Sequence, residues 1–167
     1  MKKHSYFESQ WLKRWPEPEE IKRLFFPAGG TAWFSSGGND TASFTIEGVE
    51  RTEHLEQGNG RIDVKLEMVG HPKYGLFLYY KRTQGPHYAS KGDLSKLKTF
   101  VRTLHDDLRT LAFFIPFDKA WPAVREFILS DGLLPATIAW VDLKDVQGTP
   151  FPDPNHRAAS DEFIFER

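Results

Sequence analysis

Residues 61–69, RIDVKLEMV, alternate without a break. Ile62, Val64, Leu66 and Met68 fall on one side and Asp63, Lys65 and Glu67 on the other. Successive side chains of a strand point to opposite faces, so this stretch reads as a strand with one buried and one wet face. HPKYG then supplies a turn. The next segment, YGLFLYYKR, puts Tyr74, Leu76, Leu78 and Tyr80 on one side with Phe77 and Tyr79 on the other. Apolar residues on both faces predict a central strand covered front and back. Upstream, TAWFSS and ASFTIEG flank GGND, whose residues accept the positive φ of a hairpin turn. Four consecutive antiparallel strands in a meander are the economical arrangement.

The flanking segments predict helices and shorter strands. Phe7, Trp11 and Trp15 have helical spacing, so the first fifteen residues read as an aromatic arm or short amphipathic helix that Pro16 and Pro18 break. PEPEEIKRLFF predicts a helix with Pro18 in the first turn, Glu19 and Glu20 at its positive end, and Ile21, Leu24 and Phe25 buried. PAGG ends it. GPHYASKGD reads as turn, short strand, turn. Over 97–115, Leu97, Val101, Leu104 and Leu108 are spaced as in a helix, yet KTFVRTL and RTLAFFIP around HDD read as a hairpin. Two strands are favoured here, with a helix as the alternative, because β-branched and aromatic residues are frequent. In FDKAWPAVREFILSDG, Asp118 is the expected N-cap and Pro122 falls in the expected first turn. Trp121, Val124, Phe127 and Ile128 form the apolar stripe, and Gly132 is the left-handed stop. ATIAWVDL is a last strand, and residues 143–167 form a proline-containing tail that Phe163, Ile164 and Phe165 would dock. The expectation is one α+β domain: a mainly antiparallel sheet of about five to seven strands, with helices packed on one face. Within it, 1–15 is the arm, 16–142 the core and 143–167 the tail.

Composition narrows the function. At 167 residues the chain has the size of one domain, and 40% hydrophobic residues suffice for a core. Twenty-two basic and 23 acidic side chains leave a formal charge of −1, which argues against a dedicated nucleic-acid binder. No cysteine is present, so disulfides, thiolate zinc sites and a cysteine nucleophile are excluded, and the chain fits a reducing compartment. MKKHSYFESQWLKRW has no apolar run of signal-peptide type, and no stretch approaches the ~18 apolar residues of a membrane span. A cytoplasmic protein with no membrane partner is the expectation.

A search for reactive patterns returns little. The six histidines, His4, His54, His71, His87, His105 and His156, form neither HxH nor HExxH, so surface histidine is the plainer reading. FSSGG lacks the leading glycine of a nucleophile elbow, and the glycines of PAGGTAWFSSGGND fit neither GxGxxG nor a P-loop. Glu47, Glu50, Glu53 and Glu56 recur every three residues and are followed by Asp63 and Glu67. They read as a solvated face or as an acidic patch that meets a basic partner. No cofactor and no metal are expected.

The C-terminal half carries a recognisable pattern. HYASKGD, then an apolar strand leading into IPFDKAWPAVREFI, then SDGLLPATIAW, resembles the immunity-protein-one family of bacterial polymorphic toxin systems. The resemblance falls on Pro116, Ala120, Ala123, Glu126, Phe127, Gly132, Pro135 and Trp140, and extends over roughly residues 60–142. It implies a non-enzymatic protein that binds and neutralises a cognate toxin domain. Such toxins often target nucleic acid and often belong to the deaminase superfamily. A toxin that handles nucleic acid needs a basic cleft, which carboxylates would fill. Glu47, Glu50, Glu53, Glu56, Asp63 and Glu67 are therefore the expected contact residues, with Trp11, Trp15 and Tyr79 as aromatic anchors. Monomer and homodimer are both compatible with this. Two other readings stand beside it: an adaptor domain with a different partner, and an enzyme whose site gathers residues such as His87, Asp106 and Glu126.

Overall fold

A computed structural model describes residues 1–7, 10–25, 41–49, 62–71, 73–83, 85–103 and 108–146. For Gln10, Trp11 and Leu24 it describes the backbone alone. The main sheet among these residues has eight strands, all antiparallel. Its centre is the meander β3 (Thr41–Val49), β4 (Ile62–His71) and β5 (Gly75–Arg82). Tyr74 and Lys73 form the turn between the last two. Beyond β3 lie β1 (Lys2–Phe7) and β2 (Gln10–Trp11). Beyond β5 lie β6 (Tyr88–Ser90) and then β10 (Trp140–Asp142). β9 (Phe114–Ile115) pairs with β5 at Leu76 and Phe77, while β6 pairs at Tyr79 and Tyr80, so the two share one edge end to end.

The two alternating strands are buried as their patterns require. Ile62, Val64, Leu66 and Met68 are at most 3% exposed, and Leu76, Leu78 and Tyr80 on the neighbouring strand are fully buried. They join Ala42, Phe44 and Ile46 of β3 and Phe7 of β1 in one core. Helix α1 (Pro18–Phe25) and helix α2 (Phe117–Leu129) cover this face. Ile21 and Phe25 enter the core from α1, and Ala120, Ala123, Val124, Phe127 and Ile128 from α2. Phe25 meets Trp121 edge-on at 5.6 Å between ring centroids, which joins the two helices. Gly132 follows α2 with φ +91°, and a Cβ there would stand 2.5 Å from Val64 Cγ2. Glycine is needed here both for the backbone and for the close approach to the sheet.

On the opposite face a second core occupies one half of the sheet. Val69, Phe77, Tyr79, Ala89 and Val141 supply its floor. The excursion between β6 and β9 covers it, with Val101 on β7 (Phe100–Arg102) and Leu111, Ala112 and Phe113 after β8 (Leu108–Thr110). β7 and β8 form the hairpin favoured for 97–115, with Leu104, His105, Asp106 and Asp107 outside the described residues. The buried Ser90 hydroxyl ties this cover down: it accepts the Leu78 N–H at 3.0 Å and donates to the Phe113 carbonyl at 2.6 Å. Phe77 and Tyr79 are therefore covered from one side as Leu78 and Tyr80 are from the other.

The α+β class and the helices on one face stand as read, but five local readings do not. Residues 2–7 are a sheet strand and not an arm or helix, because β3 has an open edge for them. Paired there, Lys3, Ser5 and Phe7 alternate with Lys2, His4 and Tyr6, and a strand period replaces the helical one. Helix α2 begins two residues early, so Pro116 and not Asp118 is its N-cap, and no side chain caps it. Pro122 consequently sits in the second turn, inside the helix. Tyr74 packs with the second core, since the turn takes it out of the alternation of β5. The last strand is only Trp140–Asp142, because residues 133–139 are held as a loop by Glu126. The segments 31–36 and 147–167 lie outside the described residues.

Candidate functional site

Among the described residues, the half of the second face that the excursion leaves uncovered is a polar plate spanning β1, β3, β4 and β5. Alternation builds it: every second residue of these strands enters the helix-covered core, and the others point here. Register then lines them up in rows. His4, Thr45, Lys65 and Lys81 occupy successive positions across four strands. Tyr6, Ser43, Glu67 and Tyr79 form the next row. Arg109, on β8, stands at the boundary with the second core.

At the centre the Glu67 carboxylate bridges two lysines. Lys65 Nζ lies 2.8 Å from Oε1 and Lys81 Nζ lies 2.8 Å from Oε2. Burial by itself pushes the Glu67 carboxyl up, but the two ammonium groups outweigh it and hold it below the ordinary carboxylate range. Lys81 also sits over the Tyr79 ring at 4.7 Å from its centroid. The Tyr79 hydroxyl is 2.9 Å from His87 Nδ1, and His87 Nε2 is 3.2 Å from the Arg82 carbonyl. A carbonyl only accepts, so Nε2 carries the proton and Nδ1 accepts from Tyr79. Burial and the Glu67 charge both push the Tyr79 phenol up, so it stays protonated.

The structure places the acidic residues read from the sequence in different settings. Glu47, Asp63 and Glu67 share the open face, and each is engaged. Glu47 pairs with His4 at 3.4 Å, and Asp63 Oδ1 accepts the N–H of Gly48, at a bulge in β3, at 2.9 Å. Glu50, Glu53 and Glu56 lie outside the described residues. Trp15 belongs to the other face: its ring meets Phe44 edge-on at 5.4 Å, and its indole N–H donates to the Ile128 carbonyl at 3.4 Å. Tyr79 is 7% exposed and part of the second core. Trp11 has a described backbone, paired with Tyr6, and no described side chain. His87 and Glu126 are not brought together. His87 serves the open face, whereas Glu126 on α2 accepts from the Ala136 and Thr137 amides at 3.0 and 3.1 Å. Asp106 lies outside the described residues.

Among the described residues no group of three or more His, Asp or Glu side chains is arranged to hold a metal ion. No helix there is long and apolar enough to cross a membrane. Neither Lys65 nor Lys81 was among the contact residues expected from the sequence. The outward direction of Lys65 was legible in RIDVKLEMV, but which residues face one another across strands is not a property of either strand alone. The fold and this face define an α+β protein with a two-sided core and one open polar sheet surface. No family model matches the chain, and no curated protein or solved structure matches it.

Proposed function

We propose that this chain is an immunity protein: it binds a cognate bacterial toxin domain, one that targets nucleic acid and is of the deaminase class, and covers its active site. The reading rests on the pattern over residues 60–142 that resembles the immunity-protein-one family. The observation that carries it is the open sheet face, whose charged side chains are held in place by ion pairs. Such preorganisation lowers the entropy lost when a surface binds another protein. The residues of the pattern form one packed unit, which supports reading 116–140 as a scaffold. Tyr80 O–H donates to the Gly132 carbonyl at 2.9 Å, Trp140 N–H to the Pro135 carbonyl at 2.6 Å, and Glu126 fixes the loop between. The acidic contact with a basic toxin cleft falls to Glu50, Glu53 and Glu56, which follow Glu47 in the sequence. Binding is stoichiometric and needs no cofactor.

The test is co-expression of this chain with the C-terminal domain encoded by the gene immediately upstream. Relief of toxicity together with a stable co-purified complex is the expected result. A toxic domain that is neither bound nor relieved overturns the proposal. Reversal of Glu50 and Glu53 to lysine is expected to weaken the complex, and unchanged binding would remove them from the contact.

A further inference from the structure

We propose that the Lys65–Glu67–Lys81 cluster is the docking point for an acidic segment of a partner protein. The partner's identity as a toxin rests on the function proposed above; the chemistry of the contact does not. Lys65 and Lys81 are direct cross-strand partners on an open face. Like charges in that position are destabilising. Glu67 offsets this with one oxygen to each ammonium, which uses both oxygens and leaves the three groups with one net positive charge. Each lysine keeps donors to spare. Of the face's other carboxylates, Asp63, in the wall of one flanking hollow, is turned to the Gly48 amide, and Glu47 is paired with His4.

Two hollows flank the cluster and share Lys65. One, of about 270 Å³, includes Tyr6, Ser43, Glu67 and Arg109 in its walls. The other, of about 390 Å³, includes Thr45, Lys81, Arg82 and His87. Each places the Lys65 ammonium, joined in the second by that of Lys81, beside a space large enough for a carboxylate side chain. A guest carboxylate in either hollow would continue the alternation of charge that Glu67 begins. A nucleic acid fits less well. Its phosphates would meet the Glu67 carboxylate at the centre, and the chain as a whole carries a formal charge of −1. An acidic protein segment, with carboxylates on flexible stems and neutral residues between them, can straddle Glu67.

The full chain, labelled with nitrogen-15, should be titrated with a decaglutamate peptide and, separately, with a single-stranded oligonucleotide of similar length. Saturable shifts centred on the amides of Lys65, Lys81 and their strand neighbours are expected with decaglutamate, weakening as salt is raised through about 0.1 M. Lys65→Gln with Lys81→Gln should reduce that affinity about tenfold, and Glu67→Gln should raise it severalfold. Circular dichroism melts verify that each variant is folded. In a variant pair that fails to fold, single replacements of Lys65 or Lys81 take its place. Decaglutamate shifts that are absent or centred elsewhere, or preferential binding of the oligonucleotide at these lysines, overturn the inference. Those outcomes leave the toxin reading intact. Conversely, a toxin domain that does not bind while decaglutamate does defeats the toxin reading and retains the acidic-segment site.

Discussion

His71 shows how one side chain can tie stability to pH. It is 4% exposed, its Nδ1 accepts the N–H groups of Lys73 and Tyr74 at 3.1 Å each, and its ring lies against Tyr74 and Phe114. Burial, with Lys73 adding to it, lowers its pKa from 6.5 to about 4. The unfolded chain therefore takes up a proton before the folded one does. The contribution is complete above pH 6.5 and is lost as pH falls from there to about 4. A shift of that size corresponds to about 3 kcal/mol. Urea unfolding at pH 7, 5.5 and 4.5 should show the loss, and His71→Gln should flatten this part of the profile while lowering stability at pH 7. A second residue test concerns Gly132. Ala in its place would meet both a φ of +91° and the Val64 methyl, and should destabilise the protein by about 2 kcal/mol or more. An unchanged urea midpoint would show that α2 can move away from the sheet. The role of Gly132 was legible in SDGLLP, since a glycine just past a helix signals the left-handed position. The role of His71 was not, because burial comes from Phe114, forty-three residues away.

At the scale of elements, helix α2 and the loop after it act as one piece. The N–H bonds of Ala136 and Thr137 reach back to Glu126, one turn from the helix end. Burial pushes the Glu126 carboxyl up, but these amides outweigh it and keep it below its ordinary range. Glu126→Ala should lower stability by about 1–2 kcal/mol and speed amide exchange across residues 133–139. Equal exchange in wild type and variant would show that Trp140 and Pro135 alone hold the loop. Elements with a strong period of their own were legible: β4, β5, α1 and the core stripe of α2. Elements without one were misread or shortened. Lys2–Phe7 combines charged and aromatic residues compatible with either period, and its pairing with β3 decides the matter. The start of α2 differs by two residues because Pro116 serves as its first flanking position without a side-chain cap.

For the whole molecule, burial is deepest at β4 and β5 and declines toward both edges of the sheet. Native-state hydrogen exchange should find the slowest amides in β4 and β5, with those of β1 and β10 exchanging about tenfold faster or more. Uniform protection would mean that the sheet opens only by global unfolding. The candidate surface was half legible. Its outward direction follows from alternation, whereas the Lys65–Lys81 opposition, the bridging by Glu67 and the exclusion of Trp15 follow from register and packing. Sequence by itself determined the antiparallel α+β class, the central strand and the glycine stop, because each is encoded by neighbours within a few residues. Tertiary structure alone decided that the N-terminal segment is a strand, that half of the second face is covered and half open, and that its carboxylates are already engaged. Those outcomes depend on which edge is vacant and which side chains meet across strands, and residues far apart in the chain supply both.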